Sequence, residues 1–168
     1  MSNLDNPGPA TAPSVESVLL QLSAAGVALP PGRVRLDSYG DSAALSEELL
    51  GLIRSGRKRA GTSLLRAVEA EGATLPRAGD IEIVLGFSGE PVLVTRIVRS
   101  EVLPFSSVTA EYAAIEGEGD GSLEYWRRAH WAFFGRECAR LGIEPSESMP
   151  VVCTVIEVVS EVPPRAAG

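Results

Sequence analysis

Residues 81–87 and 91–103 are two β-type runs separated only by Ser88-Gly89-Glu90. So short a link joins strands only as an antiparallel hairpin, since a parallel partner needs a crossover of a dozen or more residues. This fixes the centre of any fold. Shorter strand-like segments lie at 34–39 and 62–65, and a final β-rich run covers 149–159.

Helical spacing fills the intervals. Leu45, Leu49, Leu50, Leu52 and Ile53 follow the N-cap candidate Gly40-Asp41-Ser42, with Glu47 and Glu48 early, Arg54 late and Gly56 as terminator. Val15, Val18, Leu19 and Leu22 outline a short amphipathic helix that Gly26 ends. Ser107 is a candidate cap for a short helix through Ile115, and Ser122 for a longer one over 123–141. Strands joined by hairpins and interrupted by helices predict an α+β domain whose mainly antiparallel sheet curls into a small β-barrel with flanking helices. The expected organisation is a disordered tail over 1–13, one domain over 14–160 including the N-terminal helix, and a second tail over 161–168. A chain of 168 residues is long enough for one such core.

Composition narrows the function. A net charge of -7 argues against indiscriminate binding to phosphate backbones, while leaving room for a local basic pocket. Two cysteines, Cys138 and Cys153, are too few for a disulfide framework or a cysteine zinc site, and buried free thiols are expected. The first residues lack a secretory signal and no apolar run is long enough to span a bilayer, so a cytoplasmic placement is expected.

Three stretches carry chemistry. In Arg54-Ser55-Gly56-Arg57-Lys58-Arg59-Ala60-Gly61-Thr62-Ser63, four cations fall within six residues at a helix end. They either complement the helix dipole in solvent or supply Lys58 as a point charge, with Thr62 or Ser63 as a hydroxyl. The second stretch holds Glu111, Glu116, Glu118 and Asp120 among glycines. Mutual repulsion there predicts one carboxyl with a raised pKa suited to acid–base work, against the alternative of a solvated loop. A calcium-loop pattern is missing, so no metal and no other cofactor is expected. The third is the aromatic helix. Trp126, His130, Phe133, Glu137 and Leu141 share a face and read first as packing, whereas Trp131 lies off that stripe and is free to cover a site or stack on a base.

Together these segments resemble the ASCH family, small domains related to the ASC-1 homology module. The matching pieces are Tyr39-Gly40-Asp41-Ser42, Ser55-Gly56-Arg57-Lys58-Arg59 and Ala78-Gly79-Asp80. The most specific is Glu116-Gly117-Glu118-Gly119-Asp120, followed by Ser122-Leu123, Trp126-Arg127, His130 and Phe133-Phe134. The match spans roughly residues 33–160. The resemblance implies a PUA-like β-barrel with a cleft between barrel and helices, and a function tied to RNA or a modified nucleoside or nucleotide. Some relatives hydrolyse the amide of acetylated cytidine; others are described as ribonucleases or RNA-binding modules.

In the amidohydrolase branch a lysine, a threonine three residues later and a distant glutamate form the working set. The resemblance places the lysine on Lys58 and the glutamate on Glu116, but the threonine position is Gly61 here. A one-residue shift along a strand reverses the facing of a side chain. Three outcomes stay open: a bulge at Gly61 turns Thr62 inward, Ser63 shares Gly61's face, or no hydroxyl nucleophile exists. A hydrolase would use Lys58, Thr62 and Glu116. A non-catalytic binder would hold phosphate with Arg57, Lys58 and Arg59 and stack a base on Trp131 or Tyr112; Ser63 and Glu118 are further candidate contacts.

Overall fold

The computed structural model describes residues 12–166. The predicted tail over 1–13 therefore falls almost wholly outside the described residues, as do the last two residues of the C-terminal one. Helix α1 (Val15–Ala24) starts where the Ser14 hydroxyl accepts from the Ser17 amide at 3.1 Å. Strand β1 (Val34–Ser38) leads into α2 (Ala43–Arg54), capped by Ser42 through the Leu45 amide. Strand β2 (Ala60–Leu64) passes directly into α3 (Leu65–Ala70). The hairpin forms from β3 (Ile81–Leu85) and β4 (Pro91–Pro104). A 3-10 turn (Phe105–Ser107), α4 (Ala110–Glu116), α5 (Leu123–Leu141) and β5 (Pro150–Glu161) complete the chain.

The five strands form one sheet in the order β1-β3-β4-β5-β2, antiparallel except for the β1–β3 pair. Register shifts at Val94/Thr95 and Ile97/Arg99 interrupt the long β4–β5 ladder, and such bulges bend and twist a strand pair. The sheet curls into a half-barrel, as an α+β reading of the sequence predicts. Helices cover it. Val18 and Leu22 of α1 pack on Ile83 and Leu85, and Leu50 and Ile53 of α2 pack on Val84, Leu93, Ile97 and Ile156. The largest cluster joins Phe105, Tyr112, Trp126 and Phe134 to Leu64, Val151 and Cys153. Both cysteines are free and buried.

Two local expectations are corrected. The residues read as a strand through position 65 turn helical at Leu65. The helix expected to start at Ser107 starts instead at Thr109, whose hydroxyl accepts from the Tyr112 amide at 3.2 Å. Ser107 ends a separate turn, and Val108 between them is extended and buried, as a residue packed into the core must be. Beyond Glu161 the chain stays attached, because the Val162 amide donates to Val92 at 3.0 Å.

Candidate functional site

Lys58 is placed by the end of α2. Gly56 there adopts φ +76°, and the Arg57 and Lys58 amides both donate to the Leu52 carbonyl at 3.0 Å. The next residue ties this loop to α4 through the Arg59 amide and the Ile115 carbonyl, 2.9 Å apart. Glu116 closes α4, and Gly117 follows at φ +67° with the Arg57 carbonyl oxygen only 2.1 Å from where a Cβ would sit. Only glycine tolerates both that dihedral and that approach. The fold thus forces Lys58 and Glu116 together across 58 residues of sequence.

Glu116 is 1% exposed and its carboxylate accepts four donors. Lys58 Nζ (3.1 Å) and His130 Nε2 (3.0 Å) reach Oε1, while Thr62 Oγ1 (2.8 Å) and the Trp126 indole N–H reach Oε2. Lys58, 2% exposed, also donates to Glu118 Oε1 at 2.7 Å. His130 Nδ1 lies 2.9 Å from the Trp126 carbonyl. With a carbonyl at one ring nitrogen and a carboxylate at the other, both are donors, and the ring is an imidazolium.

These contacts fix the charges. Burial works to raise the Glu116 pKa, but Lys58 and then His130 overcome it and hold the carboxyl far below the usual range. The raised carboxyl pKa expected in the acidic stretch is therefore not found at Glu116. Burial likewise opposes charge on Lys58 and on His130, and is outweighed by Glu116 and Glu118 at Lys58 and by Glu116 first at His130, so both pKa values are raised. Two cations and two anions make a neutral cluster.

The cluster walls a cavity of about 520 Å³. Further acids line it. Asp41 is paired with Arg136 at 2.6 Å and Glu137 with Arg140 at 3.3 Å, whereas Glu48 and Glu71 have no ion pair among the described residues. Asp37 also lines it, close to Glu82, which is 1% exposed, accepts from Thr95 Oγ1 at 3.1 Å and faces the Arg35 guanidinium at 3.8 Å. Burial first, and then Asp37, push the Glu82 carboxyl up to about 8. The acid–base anomaly sought in residues 111–120 therefore lies at Glu82 on β3.

Glu116, Glu118 and His130 bring ligand atoms within 4.8 Å of one another, the spacing of a metal site. Lys58 Nζ bonds both carboxylates and already supplies the cation there.

The remaining sequence candidates separate. Strand β2 pairs with β5 in unbroken register, Gly61 opposite Thr154 and Thr62 opposite Cys153, so no bulge exists at Gly61. Thr62 nevertheless reaches Glu116, because Lys58 precedes the strand and strand alternation does not govern its spacing to Thr62. A Cβ at Gly61 would lie 3.0 Å from the Tyr39 ring, which fills that face and sits 5.5 Å from Lys58 Nζ. Ser63 is exposed and lines the cavity.

Arg57 is exposed and donates to the Gly119 carbonyl, bracing the acidic loop. Arg59 is exposed and outside the cavity lining. Tyr112 is corrected as a stacking residue: its ring is buried and its hydroxyl donates to the Gly61 carbonyl at 2.6 Å. Trp131 lies outside the cavity with its ring edge-on to Phe105, centroids 5.5 Å apart. Residues missed by sequence reasoning are Tyr39, Phe87, Tyr125, Phe133 and Arg136, all lining the cavity. Only Tyr39 and Phe133 lay inside a recognised motif. Trp126, taken as packing, is also a donor to the central carboxylate.

A curled half-barrel with helices over it and a cavity between defines a domain of the PUA-like class. The chain belongs to the ASCH family, whose domain model matches residues 35–160. The structure of an ASCH domain from Lactobacillus crispatus JV V101 is similar, at 31% identity and TM-score 0.73, covering 86% of this chain and 94% of that one. A protein from Enterococcus faecalis V583 is similar at 27% identity and TM-score 0.72, covering 89% of this chain and 91% of that one. No curated protein matches the sequence. No helix among the described residues is long and apolar enough to cross a membrane.

Proposed function

We propose that this ASCH domain binds a modified nucleoside in the cavity and hydrolyses an exocyclic amide such as that of N4-acetylcytidine. One observation carries the reading: the Thr62 hydroxyl and the Lys58 ammonium occupy opposite oxygens of the same buried carboxylate, Glu116, at a cavity wall. An amide carbonyl replaces Glu118, the more exposed of the two carboxylates on Lys58, at the ammonium. As Lys58 turns to the carbonyl oxygen, Glu116 loses part of its charge compensation and its proton affinity rises. Thr62 Oγ1 adds to the acyl carbon and its proton passes to Glu116. The C–N bond then breaks and the amine leaves with that proton. Water hydrolyses the acyl-threonine, releasing the carboxylic acid and restoring the hydroxyl.

The charge of the cavity favours an uncharged ligand over one bearing phosphate, because Glu48 and Glu71 line it with no ion pair among the described residues. Incubation with N4-acetylcytidine tests the reading. Cytidine and acetate should form with the wild type, and Thr62→Val and Lys58→Ala, checked for folding by circular dichroism, should slow the reaction at least about a hundredfold. No product from the wild type, or equal rates in the variants, overturns it.

A second reading, a non-catalytic RNA-binding module, rests on Arg57 and Arg59, exposed on either side of Lys58 at the cluster. It requires binding of short structured RNA that weakens steeply between two salt concentrations. Salt-insensitive or undetectable binding removes it.

A further inference from the structure

Besides the His130 imidazole, four aromatic rings line the cavity, and three have partners in the protein. Tyr39 packs on Gly61 beneath Lys58. Tyr125 covers Gly119 so closely that a Cβ there would lie 2.4 Å from its ring, and Phe133 meets Phe134 at 5.8 Å between centroids. Phe87 alone has no aromatic or cationic neighbour among the described residues and is 58% exposed while lining the cavity. It stands in the turn between β3 and β4, where the Gly86 amide donates to the Glu90 carbonyl at 2.8 Å and the Gly89 amide to the Gly86 carbonyl at 2.9 Å. Those bonds hold the turn at both ends. At 58% exposure this large apolar ring at the rim of an acid-lined cavity leaves more than half its surface in water, and burial under a ligand removes it.

We infer that Phe87 is the stacking platform of the cavity, meeting the flat face of an aromatic base while the polar edge of the base faces the Lys58 cluster. This rests on the nucleoside reading above and adds the residue that selects for planarity. Stacking on an aromatic side chain is tolerant of base identity. Both cytidine and adenosine should therefore gain from Phe87, and ribose alone should not.

Calorimetric titration of the wild type, Phe87→Ala and Phe87→Trp with cytidine, N4-acetylcytidine, adenosine and ribose tests it. Binding need not be followed by turnover for the comparison to be read. The expected result is a Kd for the bases about tenfold weaker in Phe87→Ala, near wild type in Phe87→Trp, with the emission of the new indole quenched as nucleoside saturates. The exposed position makes unfolding of either variant a small concern. Equal base affinity in the wild type and Phe87→Ala, or unquenched emission in Phe87→Trp, overturns the platform and leaves the nucleoside reading standing. No binding of any nucleoside to the wild type overturns both.

Discussion

Glu116 sets the protonation states of the groups around it. Its two oxygens take four donors, so it is ionised in the folded protein, and the acceptors around His130 keep that ring doubly protonated. The His130 pKa is raised, so the stability it contributes is complete below the ordinary histidine value and is lost as pH rises through the folded one. Nitrogen-15 spectra at pH 7 should show both ring nitrogens of His130 carrying protons. A single neutral tautomer at that pH refutes the assignment. Lys58→Ala should cost stability as well as activity, roughly 3–5 kcal/mol, since it leaves Glu116 without its first compensating charge.

At the scale of elements, the loop after α4 is the part that cannot vary. Gly117→Ala meets the Arg57 carbonyl, whereas at Gly121, φ +77°, nothing lies within 4 Å of an added Cβ. Both substitutions bear left-handed strain of about 1 kcal/mol. Gly117→Ala should therefore lower Tm well beyond Gly121→Ala, and equal losses would show that the approach to Arg57 relaxes freely. The sequence was legible where signals are local. The 88–90 turn announces the hairpin, Ser122 announces α5, and the alternating acids and glycines announce the loop. It was silent where the partner is remote. Helix α3 follows the strand-like residues of β2 directly and, at six residues, is too short for a helical period to be detected. Thr109 and Ser107 are both good caps, and only the burial of Val108 decides between them. The ionisation of Glu116 depends on Lys58, 58 residues away, and no spacing in the chain carries it.

For the whole molecule, the buried Glu82 carboxyl sets how stability follows pH. Glu82 has a folded pKa of about 8, above its ordinary value of 4.5, so the folded state holds an extra proton between them. Stability is full below the ordinary value and declines as pH rises through about 8. Glu82→Gln keeps the neutral shape and cannot ionise. It should raise Tm at pH 9, by roughly 2–4 °C for each kcal/mol regained, and flatten the fall from pH 6 to 9. An unchanged slope would mean that Glu82 is not the group that titrates.

The donors on Glu116 come from separate parts of the chain: the approach to β2, β2 itself and two successive turns of α5. They compete for one pair of oxygens, so each sets the geometry the others can use. Substitutions among them will be non-additive, and double-mutant cycles will return couplings rather than sums. Selection acting on turnover at this carboxylate would then act on folding too, and a variant that escapes one constraint would have to answer to the other.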